Sequence, residues 1–303
     1  MILRKMTPFA LLLALPLLAE REVAITIDDL PRGGDSGCEA APLIAMTAKL
    51  MTPFREGRIP VTGFVIGSRC PDVQAQALKL WLDAGAELGN HTFSHINLND
   101  TPVSDYLTDI ARGEAPIARL TGAKPRYFRY PYLHAGTDAQ SRQKVIDYLS
   151  SHGYRNAPVT LDNSDYMFAR VYAVALARSD AALAQRVAET YLAYMESIFE
   201  FFEKRSVEVA GHEVRQTLLI HASQLNADEM PRLLAMMKRR GYRIVTLDRA
   251  LEDPAYQLPE RYAGQGGFSW IHRWSMTAGR KFATAEPDEP KWITDAWNAT
   301  RDR

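Results

Sequence analysis

Two short stretches carry the residue types that chemistry needs. Ala24-Ile25-Thr26-Ile27-Asp28-Asp29-Leu30-Pro31 runs β-branched residues into two adjacent carboxylates and stops at a proline. This pattern predicts a buried strand with two acids at its C-terminal end. Adjacent like charges repel and neither is cheap to desolvate, so a cation at the strand tip would account for the pair. The alternative is a turn in which one Asp caps a following helix. His91-Thr92-Phe93-Ser94-His95 places two imidazoles four residues apart. On a helical turn they share one face and can hold one metal ion. One carboxylate of the Asp pair would complete a two-histidine, one-carboxylate site with a position open for water. Such a site suits zinc, and cobalt or nickel can substitute.

The elements that must position these residues alternate. Strands are expected at 61–67, 87–91, 127–129, 156–161, 217–221 and 243–246, with helices at 41–56, 72–84, 102–120, 138–152 and 227–240 between them. Alternating strand and helix implies a parallel sheet with helices outside. About seven such units in roughly 230 residues suggest a barrel, whose chemistry sits at the C-terminal ends of its strands. Asp28, Asp29, His91, Arg129, Asp162 and His221 all fall at predicted strand ends. Residues 179–205 read as one long helix with Ser179 as N-cap and an apolar stripe from Leu183 to Phe202, packing outside the barrel. The tail from Ala263 is glycine-rich and then aromatic, at Phe268, Trp270, Trp274, Trp292 and Trp297; it reads as a packing arm or a contact surface.

The chain is 47% hydrophobic and 24% charged, so it can bury a large core and disorder is not expected. Its 36 basic and 36 acidic residues cancel, which argues against a general nucleic-acid or anionic-membrane binder. Residues 1–19 open with Arg4 and Lys5 and continue through an apolar stretch too short to span a bilayer, the pattern of a secretory signal peptide. An uncleaved N-terminal anchor is the other reading. Once the signal is removed no integral membrane span is expected, and the location is periplasmic or secreted. Cys38 and Cys70 lie in the loops after the first two predicted strands; in an exported chain they permit a disulfide, and two free thiols are the alternative.

Five motifs together resemble the polysaccharide deacetylases, the NodB-homology group of carbohydrate esterase family four. They are Thr26-Ile27-Asp28-Asp29, His91 to His95, Arg129-Tyr130-Pro131-Tyr132, Asp162-Asn163-Ser164-Asp165-Tyr166 and Leu219-Ile220-His221, in the order that family has them over about residues 22–250. The resemblance implies a distorted (β/α) barrel of the glycoside hydrolase/deacetylase type, here with a helical insert at about 168–215 and a C-terminal extension. The expected division is 1–19 signal peptide, 20–255 deacetylase domain and 256–303 extension.

The resemblance also implies roles. Asp29, His91 and His95 would bind the metal, and Asp28 would be the general base acting on the attacking water. Arg129 would keep Asp28 ionised, and the Tyr132 backbone N–H would stabilise the oxyanion. His221 would protonate the leaving amine, held by Asp165 or less favourably Asp162. Leu219 would wall the acetyl pocket and Tyr166 the sugar. The chain departs from the family at Leu30-Pro31, where many relatives have Gly-Pro, and at Tyr166, where the family often has Trp.

The function expected is metal-dependent hydrolysis of acetyl groups, N-acetyl first, from an acetylated glycan, with no nucleic-acid partner. The alternatives are a hydrolase of a small amide or cyclic imide on the same scaffold, and a non-catalytic glycan-binding protein. His134 could reach the site or lie on the surface. His152, His212 and His272 are expected to have ordinary structural or exposed roles, and Asp35 and Glu39 no chemistry.

Overall fold

The computed structural model describes residues 21–35, 37–282 and 284–301. The N-terminal segment read as a signal peptide, 1–19, lies outside the described residues. Seven strands form one parallel sheet: β1 (Arg21–Leu30), β2 (Val61–Val65), β3 (Glu87–Asn90), β4 (Tyr127–Phe128), β5 (Arg155–Asn156), β6 (Gln216–His221) and β7 (Tyr242–Ile244). Their order is β5-β4-β3-β2-β1-β6, with β7 pairing the start of β1. Beyond β5 the chain turns back to β6 through a Leu161–Leu218 bridge, with Leu161 donating to Thr217 and Leu219 donating to Leu161. That bridge joins the two ends of the curled sheet, giving the barrel that the strand–helix alternation predicts, in the distorted form that the resemblance implies.

The expected helices form as α1 (Ala40–Gly57), α2 (Gln74–Asp83), α3 (Val103–Thr121) and α4 (Ala139–Ser151). Pro53 sits inside α1 without ending it. The fifth expected strand is shorter than its apolar pattern: only Arg155–Asn156 and the bridge at Leu161 pair, because the chain must leave one edge to reach the other. The helix read from Ser179 is preceded by another, α5 (Asp165–Ala177), and forms as α6 (Ala181–Ala210). Ser179 is the left-handed hinge between them (φ 55), and Asp180, not Ser179, caps α6 by accepting from the Leu183 N–H. The α6 stripe from Val187 to Phe202 is buried as its 3.6-residue period requires. Then follow α7 (Gln224–Arg239), α8 (Leu247–Ala250), α9 (Trp270–Thr277) and α10 (Lys291–Arg301).

From Pro254 the chain turns back over the barrel. The Arg142 guanidinium donates to the Glu260 carbonyl at 2.7 Å, Gly264 donates to Gly136, and Asn99 donates to Gln265. Buried Arg273 donates to the carbonyls of Phe268 and Leu133. Cys38 and Cys70 are joined as a disulfide, Cα atoms 5.2 Å apart, tying the loop after β1 to the loop after β2.

Candidate active site

Register decides what the strand tips offer. In the β1–β6 pairing Asp28 stands opposite His221, and in the β3–β4 pairing Asn90 stands opposite Phe128, so His91 and Arg129 leave the sheet side by side. A parallel sheet brings all its C-terminal ends to one rim. A cavity of about 920 Å3 opens there, and Asp28, Asp29, His91, His95, Tyr132, Asp162, Tyr166, Leu219 and His221 line it.

Asp29, at the irregularity in β1 between Ile27 and Leu30, is in the left-handed conformation (φ 65), a state Asp tolerates better than most residues. The turn aims its Oδ1 at two ring nitrogens, His95 Nε2 at 3.2 Å and His91 Nε2 at 3.5 Å. This oxygen is buried and has no hydrogen-bond donor. The His91 ring donates from Nδ1 to the Arg129 carbonyl at 2.8 Å, which turns the Nε2 lone pair toward Asp29. Two acceptors facing each other in a buried space are unfavourable without a cation between them. Asp29, His91 and His95 are the three residues among those described whose ligand atoms converge on a volume fit for a metal ion.

The two histidines do not lie on a helical turn. Residues 91–95 form an open loop in which Thr92 (φ 64) and His95 (φ 56) are both left-handed. The loop is held from outside. Asp109, on α3, accepts from the Phe93 and Ser94 N–H groups at 3.0 and 2.8 Å and from the Ser94 hydroxyl. Asn90 accepts from the Thr92 N–H.

Asp28 is differently placed. The fully buried Arg129 guanidinium donates to both its oxygens, at 3.2 and 3.3 Å. Arg129 is itself fixed by the Ala157 carbonyl and the Thr26 hydroxyl and lies 4.5 Å from the Phe64 ring centre. His91 Nε2 is 3.8 Å from Asp28.

Across the rim, His221 Nδ1 donates to Asp165 at 2.6 Å. Asp165 is fully buried and also accepts from the His221 N–H and the Asn226 amide. Burial alone lowers the His221 pKa; the Asp165 charge and hydrogen bond, with Asp29 and Asp28 beyond, reverse this and raise it to about 10. The partnership with Asp165 thus favours the charged form of the ring. Asp165, not Asp162, is the partner. Asp162 accepts from the Asn163 N–H, and burial pushes it up to about 6.

Tyr132 and Leu133 form a left-handed turn (φ 58 and 54) that projects the Tyr132 ring, 54% exposed, into the cavity 4.5 Å from His95. Leu219 is buried on β6 at the cavity floor, and Tyr166 is 42% exposed beside His221. Leu30, where the family commonly has Gly, is fully buried, and it occupies the space a side chain at Gly63 would need.

His134 reaches the cavity wall with its Nδ1 bonded to Asn97. His152 stacks on Tyr148 at the surface, and His212 pairs with Asp253. His272 packs among Phe201, Phe202 and Phe282 and also lines the cavity, 3.6 Å from Glu286; burial lowers it to about 4. Asp35 also lines the cavity, paired with Arg32. Sequence reasoning missed Asp109 and the cavity-lining residues of the tail, among them Phe268, Glu286 and Trp297. The one signal for the tail was its aromatic spacing.

A model of the polysaccharide deacetylase family matches residues 18–157. A chitin deacetylase of Colletotrichum lindemuthianum is 23% identical over 238 residues, 76% of this chain and 79% of that protein. A peptidoglycan-N-acetylglucosamine deacetylase of Bacillus cereus is 29% identical over 111 residues, 37% of this chain and 36% of that one. A structure of the Colletotrichum chitin deacetylase aligns with a TM-score of 0.55 at 22% identity, over 77% of this chain and 88% of that chain. A mutant of the peptidoglycan deacetylase PdaC from Bacillus subtilis aligns at 0.51 and 21%, over 77% and 91%. The structural likenesses show a shared fold, and with the family match they bear out the resemblance that the five motifs carry.

Proposed function

We propose that this relative of the polysaccharide deacetylases is a metal-dependent hydrolase that removes acetyl groups, N-acetyl first, from a glycan. The observation that carries the reading is the pairing at one rim of a donor-less buried Asp29 oxygen between two imidazoles with a charged His221–Asp165 couple. The donor set suits a divalent ion of the zinc type, with cobalt or nickel as substitutes. Asp29, His91 and His95 would hold that ion, which when bound supplies Lewis-acid activation of water and of the acetyl carbonyl.

The chain's own residues do the proton work. Asp28 takes the proton of the attacking water, and Arg129, donating to both its oxygens, aims the carboxylate. The Tyr132 backbone N–H donates to the oxygen that gains charge as the carbonyl becomes tetrahedral. His221 passes its proton to the amide nitrogen as the C–N bond breaks, so acetate and an amine leave; an unprotonated amine is a poor leaving group. Leu219 walls the acetyl methyl and Tyr166 flanks the sugar. Export is part of the proposal: the N-terminal pattern and the Cys38–Cys70 bridge suit an oxidising compartment. No helix among the described residues is long and apolar enough to cross a membrane.

Acetate release over N-acetyl chitooligosaccharides, peptidoglycan and acetylated xylan, with zinc or cobalt supplied, tests the reading. Turnover of at least one is expected, falling about 10^2–10^4-fold in Asp28→Asn. His91→Ala should purify with less metal than the parent. No acetate from any glycan, or equal metal in both proteins, overturns it.

A further inference from the structure

The tail beyond Pro254 does more than pack. Trp270, Ile271 and Trp274 are buried on α9. On α10, Ile293 is fully buried and the Trp292 ring lies 4.0 Å under the Arg186 guanidinium of α6, and the helix packs beside α5. Trp297, one turn further along, is only partly buried, and it stands in the wall of the reaction cavity.

Its neighbours form a row. The His221 and Tyr166 rings meet edge-on with centroids 6.1 Å apart. Tyr166 then meets Trp297 edge-on at 5.9 Å, and the Arg301 guanidinium lies 4.7 Å over Trp297. All four residues line the same cavity. The row therefore leads outward from the acid of the proposed reaction along two aromatic rings to a cation. At about 920 Å3 the cavity is near the upper end of the range for drug-sized ligands, more than one acetyl group and its sugar require.

We infer that Trp297, next in the row beyond Tyr166, forms a subsite for the sugar unit next to the one that loses its acetyl group, with Arg301 hydrogen-bonding at its far end. A pyranose has C–H faces and a hydroxyl-bearing edge. Aromatic rings cover the former, and a guanidinium with its fork of donors suits hydroxyl and N-acetyl oxygens. The C-terminal extension thus makes the enzyme a reader of chain length. This rests on the deacetylase reading above.

The test compares N-acetylglucosamine with its β-1,4-linked tetramer. In the parent protein the tetramer should have the lower KM. Trp297→Ala should raise the tetramer KM about tenfold, the worth of one well-placed aromatic contact, and shift the monomer KM much less. Trp297→Phe, which keeps a ring, should recover most of the loss. If the alanine protein does not fold, Trp297→Leu keeps an apolar side chain on α10 without the aromatic face and carries the same comparison. Tetramer affinity is also measured by calorimetry in Asp28→Asn, with and without Trp297→Ala, so that binding is read apart from turnover. Equal shifts for monomer and tetramer, or no shift for the tetramer, overturn the inference while leaving deacetylation standing. If the parent releases no acetate the functional reading fails by itself, and the calorimetric comparison alone decides the subsite: unequal affinities support it and equal affinities overturn it.

Discussion

Asp28 and Asp29 are adjacent in sequence and opposite in circumstance. The left-handed turn at Asp29 sends one carboxylate to the histidines, while the strand leaves the other against Arg129. Asp109 does for the histidine loop what Arg129 does for Asp28: it fixes orientation without reaching the rim. Supporting groups of this kind typically govern metal affinity by 10–100-fold, so Asp109→Ala should weaken zinc binding by about that factor, read by competition with a chelator. An unchanged affinity would mean that the loop holds itself. His221 carries the pH dependence. Its folded pKa, about 10, lies above the ordinary 6.5, so its pairing with Asp165 adds stability fully below about pH 6.5 and loses it as pH rises through 10. The same protonated ring is the proposed acid, so kcat/KM should fall on the alkaline side as the proton leaves. Asp165→Asn removes the main group that raises His221, and the alkaline limb should move to lower pH; a limb that stays in place would mean another group sets it.

At the scale of elements, the turn at Pro131–Leu133 is the part most dependent on distant chain. Two successive left-handed residues are costly, and such conformations persist only where the surroundings over-determine them. Those surroundings come from the tail. Arg273 holds the Leu133 carbonyl, and Gly267 lies so close to Tyr132 that a Cβ there would stand 1.9 Å from the Tyr132 carbonyl oxygen. Gly267 is thus required for space. Gly267→Ala should cost about 1–3 kcal/mol by overpacking, seen as a lower urea midpoint. It should also reduce acetate release, because the Tyr132 amide moves with its carbonyl. Full activity in a protein of lowered stability would separate the turn from the chemistry. The α5–α6 segment has a simpler role at this scale: α6 covers the barrel with its apolar stripe, and the first turn of α5, just ahead of the insert, supplies Asp165.

For the molecule as a whole, the proposed metal site joins β1 and the loop after β3, and an ion held there should stabilise the fold. A ligand that binds only the native state adds about 4 kcal/mol at a thousand times its Kd, so the melting temperature should rise with zinc in the parent protein and not in His95→Ala. Equal rises in both would place the ion elsewhere. Much of this architecture is legible in the chain. Alternating apolar strands and 3.6-period helices predict a parallel barrel, and acids, histidines and an arginine at the strand ends mark its rim, because those signals are local and repeat with the period of the backbone itself. Even there the sequence misplaces details: His91 and His95 sit on a loop and not a helical turn, and Ser179 is a hinge and not a cap. The rest depends on which distant segments meet. Asp162 and Asp165 look interchangeable in sequence, and only the first turn of α5 decides which one reaches His221, 56 residues further on. The bond between Cys38 and Cys70 needs two neighbouring loops. The aromatic tail, whose sequence says only that it must pack somewhere, closes one side of the cavity because Arg273 and Gly267 meet Leu133 and Tyr132, more than a hundred residues away, and α10 packs on α5. Periodicity and strand-end chemistry are short-range properties that a sequence states outright, whereas the choice among chemically equivalent partners is made by register and packing, which exist only once the barrel has closed.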